Sequence, residues 1–181
     1  YEDKADIINI EPARQKDWLR SDISLVQAKV DNIRFKETKQ KEPQLDIHYT
    51  IESSQYGNKT GKRLFIPVNI FHKGFYSPSN QGERTQDIQI NYGYLDIDSL
   101  NIRLPEGYEI ESLPKTTDME TKFGKFHSSI TLEEGGNILI VHRLLFHQGN
   151  YPKEDNTDFM DFRKNVATQY AAKIIVKKSG E

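Results

Sequence analysis

Alternation of apolar and polar residues dominates the sequence and predicts strands. In "QLDIHYTIE", Leu45, Ile47, Tyr49 and Ile51 share one parity, while Asp46, His48, Thr50 and Glu52 share the other, as a half-buried strand requires. "KRLFIPVNI" repeats the pattern through Leu64, Ile66, Val68 and Ile70, and Pro67, which has no N–H for a ladder, predicts an edge or bulged strand. "DIQINYGYL" continues it as one strand with Ile88, Ile90, Tyr92 and Tyr94. "NILIVHRLLF" is apolar at both parities, with Ile138, Ile140, Leu144 and Phe146 set against Leu139, Val141 and Leu145, which predicts a central strand covered on both faces. The Glu-Glu-Gly-Gly-Asn run at 133–137 predicts a hairpin before it, because glycine reaches the positive φ of tight turns. In "LPEGYEIESLP" (104–114), Leu104-Pro105-Glu106-Gly107 reads as a β-turn with proline second and glycine fourth, so this stretch is a strand–turn–strand corner closed by Leu113-Pro114.

Helical spacing occurs twice. In "DNTDFMDFRKNVATQYAA", Phe159, Phe162, Val166 and Tyr170 fall on one helical face, with Asp155 or Asn156 as the cap and Asp158 and Asp161 near the positive end of the dipole. Burying each of the four stabilises by roughly 1.5–3 kcal/mol, more than surface charge pairs supply, so the helix docks on the sheet as cover for the second face of the 138–146 strand. "KIIVKK" then forms a last strand. Near the start, "EPARQKDWLRSDIS" predicts a short helix with Pro12 in its first turn and Trp18, Leu19 and Ile23 on its apolar side. The polar stretch 72–87 is a long loop. The expected fold is mainly all-β: an antiparallel, immunoglobulin-like β-sandwich of about 8–10 strands, with one C-terminal α-helix packed on it and a short N-terminal helix. Residues 1–24 read as a helical or linker extension and 25–181 as one sandwich domain.

Composition narrows the function. The 181 residues are 35% hydrophobic and 29% charged, with no apolar run approaching the ~18 residues of a membrane span, so a soluble chain without membrane insertion is expected. Net charge is −2, with 25 basic and 27 acidic residues interspersed, which gives nucleic-acid binding no support. Cysteine is absent, which removes disulfides, cysteine-ligated zinc and a cysteine nucleophile from the chain. A first residue Tyr1 and only two methionines, Met119 and Met160, read as an excised portion of a longer polypeptide.

No catalytic constellation is evident. His142 and His147 are five apart on one strand pattern and point to opposite faces; His48, His72 and His127 have no neighbour at ligand spacing. Glu133 and Glu134 lie in a turn, where adjacent carboxylates diverge, and "DNTD" at 155–158 lacks the distal glutamate of a calcium loop and reads as a helix cap. Neither a Gly-x-Ser-x-Gly nor a phosphate loop is present, and no catalytic, metal or cofactor-binding residue is assigned. "NKT" at 58–60 matches a glycosylation sequon and suggests a surface position. The aromatics Phe71, Phe75 and Tyr76 form the one candidate binding patch, with anchoring of their own loop as the competing role.

Several short motifs occur in order: "GKRLFIPVN" (61–69), Arg84 before "DIQI", Asp98, "LPEGYEIESLP", "FGKF" (123–126), Arg143, "GNYP" (149–152), Phe162 and "AKIIVKK" (172–178). Together they resemble the C-terminal β-sandwich domain, a family of unknown function, of bacterial, Bacteroides-type transglutaminase-like proteins. The resemblance covers 60–178 well and 1–59 loosely. It implies a domain appended to a papain-like transglutaminase core in a secreted or periplasmic protein. The Cys-His-Asp residues of that family belong to the core, and without a cysteine here none of them transfers. The expected role is therefore a non-enzymatic accessory domain without cofactor, whose partner is the transglutaminase-like core of the same polypeptide and which packs on or orients it and helps present protein substrate. The alternative is an independent carbohydrate- or peptide-binding module, with a glycan or protein ligand at the 71–76 aromatics.

Overall fold

The structure, a computed structural model, describes residues 6–72, 75 and 84–179. The chain divides into two compact units, Tyr1–Tyr56 with Ile70–Lys73, and Gly57–Asn69 with Gly74–Glu181.

In the first unit, a 3-10 turn (Asp6–Asn9) precedes helix α1 (Pro12–Asp22), which has proline at its start where no intrahelical N–H is needed. The Gln15 side chain donates to the Ile7 carbonyl at 2.9 Å and ties turn to helix. Strands β1 (Lys29–Thr38) and β2 (Gln44–Glu52) pair antiparallel, with a register shift between Asp31 and Arg34 where Asn32 takes a positive φ of 56°. Lys16 and Lys29 bond Asp31 at 2.8 and 3.0 Å and hold its carboxyl below the usual range.

The second unit holds two four-stranded sheets and a ribbon, antiparallel at every pairing. One sheet is ordered β3 (Asn58–Thr60), β4 (Arg63–Pro67), β12 (Lys173–Lys178), β7 (Tyr108–Ser112). The other is ordered β6 (Tyr94–Arg103), β10 (Asn137–Phe146), β9 (Gly124–Leu132), β8 (Thr117–Thr121). Strands β5 (Ile88–Ile90) and β11 (Gly149–Tyr151) make the ribbon. The mainly-β antiparallel class read from sequence is thus the class observed. Three-residue strands, too short to give a pattern, bring the described number to twelve.

Strand β10 is central, as its doubly apolar pattern requires, and Ile138, Ile140 and Leu144 on its inner face are essentially inaccessible. Helix α2 (Asn156–Tyr170) contributes Phe162, Val166 and Tyr170 to one buried cluster with Phe123, Phe126, Leu144 and Phe146. The rings in this cluster meet edge-on: Phe126–Tyr170 at 5.4 Å, Phe146–Phe162 at 5.7 Å and Phe123–Phe159 at 5.1 Å, the geometry an aromatic quadrupole favours. The helix covers this inner face, whereas the face expected to receive it, that of Leu139, Val141 and Leu145, is only half-covered.

Four further expectations are corrected. Strand β4 lies inside its sheet: Pro67 is its last residue, opposite Lys173 and past the end of β3, so no ladder donor is lost. The 88–94 strand is two elements, β5 and β6, broken at Gly93, where a Cβ would lie 3.1 Å from both the Phe146 carbonyl and the Gln148 nitrogen. The β-turn falls one residue later than predicted, with Tyr108 N–H donating to the Pro105 carbonyl at 3.3 Å; Gly107 occupies its third position at φ +75°, and β6 and β7 belong to different sheets. Neither Asp155 nor Asn156 caps α2 by a side-chain bond; a 3-10 turn (Lys153–Asp155) leads into the helix, and Asp155 pairs with Lys122. The hairpin turn before β10 does use Gly135 and Gly136 at φ +78°.

Candidate functional site

Among the sequence-selected aromatics, Phe71 in the first unit packs edge-on against Tyr49 at 6.3 Å. Phe75, in the second, packs edge-on against Tyr170 at 5.4 Å beneath the Arg163 guanidinium. Tyr76 lies outside the described residues. Both described rings have protein partners of the kind that anchors a loop.

The inner face of the β6-β10-β9-β8 sheet brings polar residues together that sequence spacing does not. The register sets Asp98 opposite His142, His142 opposite Ser128, and Ser128 opposite Thr117, one row across four strands. A serine, histidine and aspartate in a row invite comparison with a nucleophilic triad, but that chemistry needs a serine open to substrate. Ser128 and His142 are 2% and 1% exposed. The His142 Nε2–H donates to the Val68 carbonyl at 3.0 Å, and its ring stacks on Phe126 at 6.1 Å and meets the edge of Tyr170 at 5.3 Å. His142 therefore fastens β10 to the end of β4 inside a closed core. Asp98 and Asp96 on the same face add to the burial that pushes the Tyr170 hydroxyl up, and burial pushes Tyr94 up to about 12.

The opposite face of this sheet is open. On the outer strand β6, Leu95 and Ile97 are 56% and 55% exposed. They pair across the ladder with Leu145 and Arg143, and Leu139 and Val141 continue a half-covered apolar strip along β10. A polar side follows on β9 and β8, where His127 Nδ1 and Asp118 Oδ1 are 2.7 Å apart. Large apolar side chains left together on one face are the usual mark of an interaction surface. Alternation in β6 could have revealed this face, had its start at Tyr94 been legible.

The remaining candidates are dispersed. Among the described residues no three His, Asp or Glu side chains converge as a metal site. Glu133 accepts from Asn101 at 3.4 Å in an exposed turn, and Arg63 grips Glu111 with two bonds on the surface of the other sheet, lowering that carboxyl and raising the guanidinium. A cleft of about 200 Å³ lies at the β5–β11 ribbon, between Gln89, Ile90, Asn91, Gln148, Gly149 and Asn150.

An antiparallel mainly-β domain with a docked C-terminal helix and an open sheet face is what the fold defines. The chain belongs to the family described as a Domain of Unknown Function with solved structure, DUF3858, whose model matches residues 62–176, more than half of the 181. The fold is similar to part of a crystal structure described as a "putative protease" from Parabacteroides distasonis, at a TM-score of 0.53 and 12% identity, over 64% of this chain and 23% of that one. The chain thus spans under a quarter of the length of that protein. No curated protein matches it.

Proposed function

We propose that the domain is a non-catalytic accessory part of a longer, secreted or periplasmic transglutaminase-like polypeptide, packing on a papain-like core and orienting it for protein substrates. The observation that carries this role is the 23% coverage of the Parabacteroides distasonis protein, in which a similar fold accounts for a minor share of a chain described as a "putative protease". The open apolar strip of Leu95, Ile97, Val141 and Leu145 supports it, since a face of that character suits burial against another domain. The catalytic steps then fall to the core, and this domain contributes stability and placement.

Deleting residues 62–176 from the complete polypeptide tests the role. The expected result is a lower melting temperature for the remainder and reduced transamidation or peptide hydrolysis. Unchanged melting and unchanged turnover would rule the role out.

A further inference from the structure

An unpaired strand edge presents a row of N–H and C=O groups that another strand can join, and proteins shorten, charge or kink such edges to prevent it. Most edges of this fold are guarded in one of these ways. Strands β3, β5 and β11 have three residues each. Strands β7 and β8 have five, with Glu109 and Glu111 on one and Asp118 and Glu120 on the other. Strand β6 is longer, but it turns Asp96 and Asp98 toward the covered face of its sheet, where an added strand would bring its own apolar side. Strand β1 is kinked by the register shift at Asn32, and Lys16 of α1 reaches over to its Asp31.

Strand β2 is the exception. Its nine residues, Gln44–Glu52, include no proline, glycine, lysine or arginine, and among the described residues the strand pairs with β1 alone. In an antiparallel pair alternate residues turn their N–H and C=O away from the partner, so β2 offers such a row along its whole length. Leu45, Ile47, Tyr49 and Ile51 on its apolar side are half-buried. A two-stranded ribbon is marginal in water, and further strands over the same apolar face stabilise it.

The sequence of β2 fits a second copy of itself in one register. With a two-fold axis through His48, all nine residues pair antiparallel. On the apolar side Leu45 faces the partner's Ile51 and Ile47 faces the partner's Tyr49, each contact occurring twice. On the polar side Asp46 faces the partner's Thr50, Gln44 faces the partner's Glu52, and His48 meets the partner's His48, so no carboxylate opposes another. Moving the axis to Tyr49 sets Asp46 against the partner's Glu52, and moving it to Ile47 sets Ile51 against the partner's Pro43, which has no N–H. We propose that two copies of the chain associate through β2, antiparallel about His48, into a four-stranded sheet ordered β1-β2-β2-β1. The kinked β1 strands then form both outer edges, so the assembly closes at two.

Sedimentation equilibrium and amide hydrogen exchange of the full chain test this. The chain should show a monomer–dimer equilibrium at concentrations up to about 1 mM, and one alternate set of β2 amides should exchange more slowly as the dimer fills. Thr50→Lys sets an ammonium opposite the partner's Asp46 and should tighten association about threefold at low salt, with unchanged circular dichroism. His48→Glu sets two carboxylates face to face at the axis and should weaken association about tenfold. A chain that stays monomeric at about 1 mM, a dimer that neither substitution shifts in the stated direction, or one whose β2 amides exchange as fast as in the monomer would overturn the proposal.

Discussion

Two tyrosines, Tyr94 on the inner face of the β6-β10-β9-β8 sheet and Tyr170 packed against that face from α2, give the protein a pH dependence with a definite sign. Burial, helped by Asp96 and opposed by Arg163, raises Tyr94 to about 12, and Tyr170 is raised by burial and then by Asp98, Asp96 and Tyr94. Unfolded, both ionise at pH ~10. A folded value raised above the unfolded one means that the stabilisation is whole below that pH and is lost as the pH climbs through the folded value, because the unfolded chain then binds fewer protons. Melting temperature should therefore fall above pH ~10, and the fall should be shallower in Tyr170→Phe. An equally steep fall in that variant would mean Tyr170 is not held protonated by the fold. His142, deeper in the same core, could be read from sequence only as a strand residue without a ligand partner. Its bond to the Val68 carbonyl joins residues 74 apart and depends on a sheet arrangement no local pattern encodes.

At the scale of elements, legibility followed the strength of the period. The doubly apolar run of β10 announced a central strand, Gly135 and Gly136 announced its hairpin, and Phe162, Val166 and Tyr170 announced the face of α2 that is buried. The break between β5 and β6 was hidden, because alternation runs unbroken through Ile88, Ile90, Tyr92 and Tyr94, while the reason for the break is a close approach of Gly93 to a distant strand. The turn from β6 to β7 was legible to within one residue. Gly107 sits at φ +75° with nothing within 4 Å of a notional Cβ, so a side chain there costs conformation rather than space. Gly107→Val should destabilise the chain by about 1–2 kcal/mol in urea unfolding with an unchanged m-value, and Gly107→Asn by less. No loss of stability in the valine variant would mean that the turn does not hold Gly107 in this conformation.

For the molecule as a whole, the decisive feature is the asymmetry of the β6-β10-β9-β8 sheet. One face is closed by α2 and an aromatic cluster, and the other leaves Leu95 and Ile97 more than half exposed beside Leu145 and Val141. Under the proposed accessory role, this face is the surface on which the core of a longer polypeptide would rest; the similar fold makes up 23% of the Parabacteroides distasonis chain. Scanning calorimetry of the complete polypeptide carrying Leu95→Asp and Ile97→Asp tests this most directly. Both side chains are exposed within the domain, so the domain's own unfolding should be nearly unchanged. The transition of the remainder should move down, by about 2–4 °C for each kcal/mol by which the aspartates weaken docking. A remainder that unfolds at the same temperature with and without the two aspartates would contradict docking through this face.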